Sequence, residues 1–112
     1  MKVFNKIKGN FGEDLACDHL KKQKYKIIAR NYKNKIGEID IIAQRKKEIV
    51  FVEVKYRSDD MFGLPGEAVG RDKQNKIRLV VQEFLIRHKF ESVRFDVIEI
   101  LGGEINHIVD AF

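Results

Sequence analysis

A mixed α+β domain with elements in the order α-β-β-β-α-β-β is predicted by three features of this 112-residue chain. Two stretches place apolar residues at helical spacing, and five short stretches are β-rich or alternate in the manner of strands. The turn signals Arg45-Lys46-Lys47-Glu48 and Gly102-Gly103 join two pairs of those strands. A three-stranded meander, a crossover helix and a closing hairpin imply a mixed sheet with helices packed on it.

The elements follow in order. Asn10 followed by Glu13 has the form of a capping box, and Phe11, Leu15, Ala16 and Leu20 then recur at helical spacing, so a helix is expected from there to about Lys22. Lys26 to Arg30 is short and β-rich. Ile36 to Ala43 and Ile49 to Tyr56 read as strands of one hairpin. Gly63-Leu64-Pro65-Gly66 marks a loop. The clearest helix comes next: Ile77, Val80, Val81, Phe84, Leu85 and His88 form a single stripe. Val93 to Ile100 and Glu104 to Val109 close the chain as a hairpin.

Length gives one domain over residues 1–112, with room for one ordinary core. Lys and Arg total 22 against 17 Asp and Glu, a net charge of +5 that favours polyanionic partners but equally suits a plain basic surface. The single cysteine, Cys17, permits no intramolecular disulfide and suits a reducing compartment; its place in an apolar stripe makes it a small core residue. No apolar run follows the basic N-terminus, and no stretch approaches the roughly 18 apolar residues of a membrane span. A cytoplasmic protein without a membrane partner is expected.

The chemistry concentrates in Gly37-Glu38-Ile39-Asp40 and Val52-Glu53-Val54-Lys55. Side chains alternate faces along a strand, so Glu38 and Asp40 should share a face, as should Glu53 and Lys55. A hairpin turn centred on Lys46-Lys47 sets Asp40 opposite Glu53 and Glu38 opposite Lys55. Opposed Cβ atoms stand about 4.5–5.5 Å apart, where like charges destabilise the pair. Either one carboxylate is protonated or a cation lies between them. Mg²⁺, with ligands at about 2.1 Å and a habit of taking one or two carboxylates plus substrate phosphate, fits such a gap; Mn²⁺ is the alternative. Lys55 beside it can orient or deprotonate a water or stabilise phosphate charge, and Glu38 is read as the ion-pair partner that positions Lys55. The plain alternative is a solvated cross-strand cluster. Against it, Asp40 interrupts Ile39 and Ile41, while Glu53 and Lys55 interrupt a valine-rich run of the kind covered on both faces.

Asp40 followed by Glu53-x-Lys55 resembles the PD-(D/E)xK nuclease motif, with Ile39 where its usual proline stands. With Glu13 upstream, the pattern is similar to archaeal Holliday junction resolvases. The chain as a whole resembles the bacterial YraN family of predicted endonucleases, through Gly12-Glu13, Arg30-Asn31, Gly37 to Asp40, Phe51 to Lys55, Arg57, Gly63, Pro65, Glu67 to Val69, Lys73, Arg94-Phe95-Asp96 and Ala111-Phe112. That resemblance implies a restriction-endonuclease-like core, divalent-metal dependence and a nucleic-acid substrate. It carries metal binding onto Asp40 and Glu53, a catalytic role onto Lys55 and an accessory acidic role onto Glu13, whose other reading is the capping residue of the first helix. It also implies a homodimer, since symmetric incision of a junction needs two active sites.

The remaining candidates have two readings each. Glu67 either serves the site or is a helix-start acid. Arg57, Lys73, Lys76 and Arg78 are candidate nucleic-acid contacts, the last three otherwise the wet face of the second helix. Arg94 and Asp96 suit a structural charge pair. His88 and His107 lack a second His or Cys at ligand spacing, so no zinc site is expected. The leading function is a metal-dependent endonuclease for DNA, with branched DNA as the candidate preference. The competing functions are a non-catalytic nucleic-acid-binding module and a recombination scaffold, for which the three charges in an apolar hairpin have no use.

Overall fold

Continuous apolar runs make the central strands, and the computed structural model shows how both of their faces are covered. It describes the backbone of residues 2–57 and 69–112, and the side chains of 11–56 and 69–112. The order is α1 (Lys2–Lys22), β1 (Lys26–Lys33), β2 (Glu38–Arg45), β3 (Glu48–Arg57), α2 (Arg71–Arg87), β4 (Ser92–Leu101) and β5 (Glu104–Ile108), as the sequence predicts. The strands form one five-stranded sheet in the order β1-β2-β3-β4-β5. All neighbours are antiparallel except β3 and β4, which run parallel on either side of the α2 crossover. This mixed sheet with two helices is compatible with a restriction-endonuclease-like core.

Each face of the sheet has its own core. Ala16, Cys17 and Leu20 of α1 pack on Ile41, Ala43, Val50, Val52, Ile98 and Ile100. On the opposite face Ile77, Val80, Val81 and Phe84 of α2 cover Ile39, Ile42, Ile49 and Phe51. The stripe expected for the second helix is therefore real, except that His88 is its exposed C-cap and stacks on Phe84. The final hairpin turns at Gly102 and Gly103, whose φ values of 57° and 90° are the left-handed conformation that glycine adopts without strain.

Three expectations are corrected. Helix α1 starts at Lys2, so Asn10 lies inside it and cannot be its cap. Val3, Phe4 and Ile7 do fall at helical spacing with Phe11, but the capping pattern of Asn10 and Glu13 points to a later start. Strand β1 runs on to Lys33, and β2 begins at Glu38 rather than Ile36. Ile36 and Gly37 instead belong to an Asx turn, both donating their N–H groups to Asn34 Oδ1 at 2.9 and 3.1 Å. The Gly63/Pro65 loop lies outside the described residues. Among the described residues no helix is long and apolar enough to cross a membrane.

The Arg94/Asp96 pair is structural, as expected, and larger than a pair. Asp96 is fully buried. It accepts Arg94 Nε on one oxygen and Arg94 Nη2 on the other, both at 2.8 Å, and the Asp110 N–H at 3.0 Å. His107 Nε2 stands 2.7 Å from the same carboxylate, and its Nδ1 meets His19 Nε2 at 3.2 Å. Arg94 also donates to Glu48 Oε1 at 2.8 Å and to the Tyr25 hydroxyl. This network ties α1, β3, β4, β5 and the chain end together.

Candidate active site

The β2–β3 hairpin takes the register its turn dictates. Arg45 faces Glu48, and the ladder continues pair by pair to Ile41 opposite Val52. Continuing that count would bring Asp40 opposite Glu53 next. The regular ladder stops there, and Asp40 Oδ2 accepts the Val54 N–H at 2.8 Å in place of a backbone partner.

The irregularity coincides with an unusual backbone position in the neighbouring strand. In the neighbouring pairing, Arg30 faces Ile41 and Tyr32 faces Ile39, which sets Asn31 across from Asp40. Asn31 is left-handed, with φ of 52°, a conformation asparagine tolerates better than most residues. Ile39 packs beneath α2 while Ile41 packs beneath α1. Strict alternation would put them on one face. The strand thus switches faces at Asp40, and the simple rule that Glu38 and Asp40 share a face fails there.

The electrostatics follow from burial. Glu53 is only 3% exposed, and burial, then the charge of Asp40, raises its carboxyl pKa to about 6. Burial likewise raises Asp40, against the pull of the Val54 N–H and Lys73. Lys73, in the first turn of α2, sets its Nζ 3.1 Å from Glu53 Oε2. Although burial disfavours its charge, Glu53 holds that ammonium above its ordinary pKa. Lys55 is shifted the other way, by burial and then by the nearby Lys73 ammonium. Glu13 reaches the same neighbourhood from α1. Burial and then Asp40 raise its pKa, while Asn31 and Arg30 oppose the shift.

Asp40, Glu53, Lys55 and Lys73 therefore share one electrostatic neighbourhood, with Glu13 on its α1 side. Glu38 adds its charge to this neighbourhood, reinforcing the burial that raises Asp40, but not through the expected pair with Lys55. It is exposed, and among the described residues no ion pair links it to Lys55, because the ladder that would oppose them ends at Ile41 and Val52. Lys76 is exposed on α2. Arg78 lies over the rings of Phe95 and Phe112, 5.8 and 5.4 Å from their centroids, engaged away from the carboxylates. Glu67 and the side chain of Arg57 lie outside the described residues. Sequence reasoning gave Asn31 and Arg30 no role. Arg30 Nη2 lies 3.6 Å from Glu13 Oε1 and 2.8 Å from Asp14 Oδ1. It also undervalued Lys73, although a cation in a helix's first turn works against the macrodipole and was a usable signal.

The donor set suits a hard divalent cation. Glu53 Oε1 is buried without a hydrogen-bond partner, a costly condition that a cation or its bound water relieves. Glu13 Oε1, likewise without a hydrogen bond, has the Arg30 guanidinium at 3.6 Å. No group of three or more His, Cys, Asp or Glu side chains is gathered for a metal among the described residues. Two carboxylates are nevertheless a sufficient protein share for Mg²⁺, which keeps waters and takes phosphate oxygens.

Comparison with known proteins bears out the resemblance read from the sequence. The model of "Uncharacterised protein family UPF0102", the YraN family, matches residues 12–100. A UPF0102 protein of Clostridioides difficile is 48% identical, the match covering 96% of this chain and 98% of the relative. One from Caldanaerobacter subterraneus subsp. tengcongensis is 47% identical over 99% and 98%. One from Fusobacterium nucleatum is 46% identical over 89% and 86%.

Proposed function

We propose, from the premise that the chain belongs to Uncharacterised protein family UPF0102, that it is a metal-dependent endonuclease hydrolysing phosphodiester bonds in DNA. Glu53 is the observation that carries this reading. A carboxylate kept 3% exposed beside a second carboxylate, with one oxygen unpartnered, is unfavourable unless something positive comes to it. Asp40 and Glu53 would hold Mg²⁺ or Mn²⁺, which when bound activates water and polarises a phosphoryl oxygen.

The chain's own residues do the rest. Asp40 is fixed by its bond from the Val54 N–H, so its free oxygen is presented without rotamer search. Lys55, its pKa lowered by burial and Lys73, donates to a phosphate oxygen or takes a proton from the attacking water. Glu13 accepts a hydrogen bond from that water on Oε1, which has no hydrogen bond within the chain. Lys73 neutralises Glu53 before substrate arrives.

The same Lys73–Glu53 pair is what favours the second reading, a non-catalytic nucleic-acid-binding or recombination-scaffold module whose cluster neutralises itself. Incubating pure protein with labelled junction, flap, duplex and single-stranded DNA in Mg²⁺, Mn²⁺ or EDTA separates the two. The nuclease reading expects metal-dependent nicks that vanish in EDTA, strongest on branched DNA. Binding without cleavage of any substrate favours the module. A cytoplasmic homodimer goes with the nuclease reading, because paired incisions need two sites related by two-fold symmetry. Light scattering that returns monomer mass with and without DNA would remove the dimer.

A further inference from the structure

Opposite the carboxylates, at the turn end of the β2–β3 hairpin, lies an open cleft of about 730 Å³ whose lining includes Lys24, Arg45, Lys46, Lys47, Glu48 and Ser92. Four of these are cations and one is an acid. The acid is already committed: Glu48 Oε1 accepts Arg94 Nη1 and its Oε2 accepts Ser92 Oγ, each at 2.8 Å. The excess positive charge therefore faces solvent unopposed by Glu48.

Two features make this more than scattered surface lysines. The Arg45 guanidinium is held in place, lying 4.4 Å above the Tyr25 ring and donating to the Gln23 carbonyl at 3.3 Å. A cation fixed this way loses less freedom on meeting an anion than a free side chain does. Lys24 and Lys46 also occupy left-handed positions, with φ of 73° and 57°, where glycine or asparagine is the sterically easier choice. Each loop thus carries a cation where its backbone prefers another residue, and both cations line one cleft.

We infer that this cleft is a second phosphate-binding site, which grips the sugar-phosphate backbone of nucleic acid away from the Asp40/Glu53 site. The inference rests on the nuclease reading for its choice of polyanion. Six residue steps separate Lys46 from Asp40 and Lys47 from Glu53, about 20 Å at roughly 3.3 Å per step. That span equals about six nucleotide steps at about 3.4 Å each. One backbone can then be held in the cleft while another stretch lies over the carboxylates.

The test is fluorescence anisotropy in EDTA, where no cleavage occurs, using a 30-base-pair duplex over a salt series. The parent is compared with K46Q/K47Q and R45Q, each checked by circular dichroism melting. At 0.1 M salt K46Q/K47Q should bind about 10- to 60-fold more weakly, with the log–log salt slope reduced by about two. An unchanged affinity and slope, with the parent binding well, overturns the cleft while leaving the nuclease reading intact. A parent that binds no duplex at low salt overturns both. If the parent binds but never cuts in Mg²⁺, the nuclease reading alone fails and the variants still decide the cleft. ATP and polyglutamate are titrated as competitors. Displacement of the duplex by either at equal charge concentration would show a small-anion or acidic-protein site and overturn the assignment to nucleic acid.

Discussion

Lys73 Nζ stands 3.1 Å from Glu53 Oε2, so an internal cation already sits on one oxygen of the carboxylate proposed to hold a metal. Lysine and metal then compete for that oxygen. Because Lys73 is half exposed, its ion pair is worth on the order of 1 kcal/mol. Lys73→Met should therefore bind Mn²⁺ about fivefold more tightly at pH 8, read by calorimetry. Weaker Mn²⁺ binding in this variant would mean that Lys73 supports the site rather than competing for it.

Stability without metal should depend on pH in a direction fixed by Glu53. Its folded pKa of about 6 lies above the unfolded value of about 4.3, so the folded chain binds this proton more tightly. The contribution is complete below the unfolded pKa and declines as pH rises through the folded one. Glu53→Gln mimics the protonated form. Melts in EDTA should find it about 1–2 kcal/mol more stable than the parent at pH 8, with a shallower decline between about pH 4.5 and 6.5. Part of the decline should remain, because Asp40 and Glu13 are shifted in the same direction. A variant less stable than the parent at pH 8 would put the Lys73 ion pair above carboxylate repulsion.

Asp96 should behave oppositely. Burial raises its pKa, but the bonds from His107, Arg94 and the Asp110 N–H hold it below the ordinary value. Its stabilisation is present at neutral pH and is lost as pH falls through the folded pKa. Asp96→Asn strands the largely buried Arg94. Urea unfolding should show a loss of about 3–5 kcal/mol, with Mn²⁺ affinity per folded molecule unchanged. A loss under about 1 kcal/mol would mean that Glu48 alone satisfies the guanidinium.

Lys55→Ala separates chemistry from binding. Lysine is no metal ligand here, so Mn²⁺ affinity should persist. Single-turnover cleavage should slow by about 10²–10⁴-fold, the usual worth of a positioned acid–base group. Loss of metal binding in step with activity would instead give Lys55 a structural role.

Periodicity and turns made most of this fold legible. The Lys46-Lys47 turn fixed the hairpin register from Arg45–Glu48 to Ile41–Val52, because a two-residue turn leaves one way to pair its strands. Just past that ladder Asp40 acts on Glu53. What stayed hidden depends on departures from regularity or on contacts distant in sequence. Nothing in an asparagine marks Asn31 as left-handed, yet its position opposite Asp40 coincides with the face switch that breaks the Glu38–Lys55 pairing. His19 and His107 meet at 3.2 Å across 88 positions, beyond the reach of any local spacing rule. Lys73 looked like the wet face of a helix because its partner sits in another element.

The central claim is that Asp40 and Glu53 together hold a divalent cation, and Mn²⁺ titration calorimetry of the parent, Asp40→Asn and Glu53→Gln tests it most directly. The account predicts saturable binding by the parent and its loss in both variants, each of which keeps a cooperative melt in EDTA. Parent-like Mn²⁺ affinity in both folded variants would contradict it.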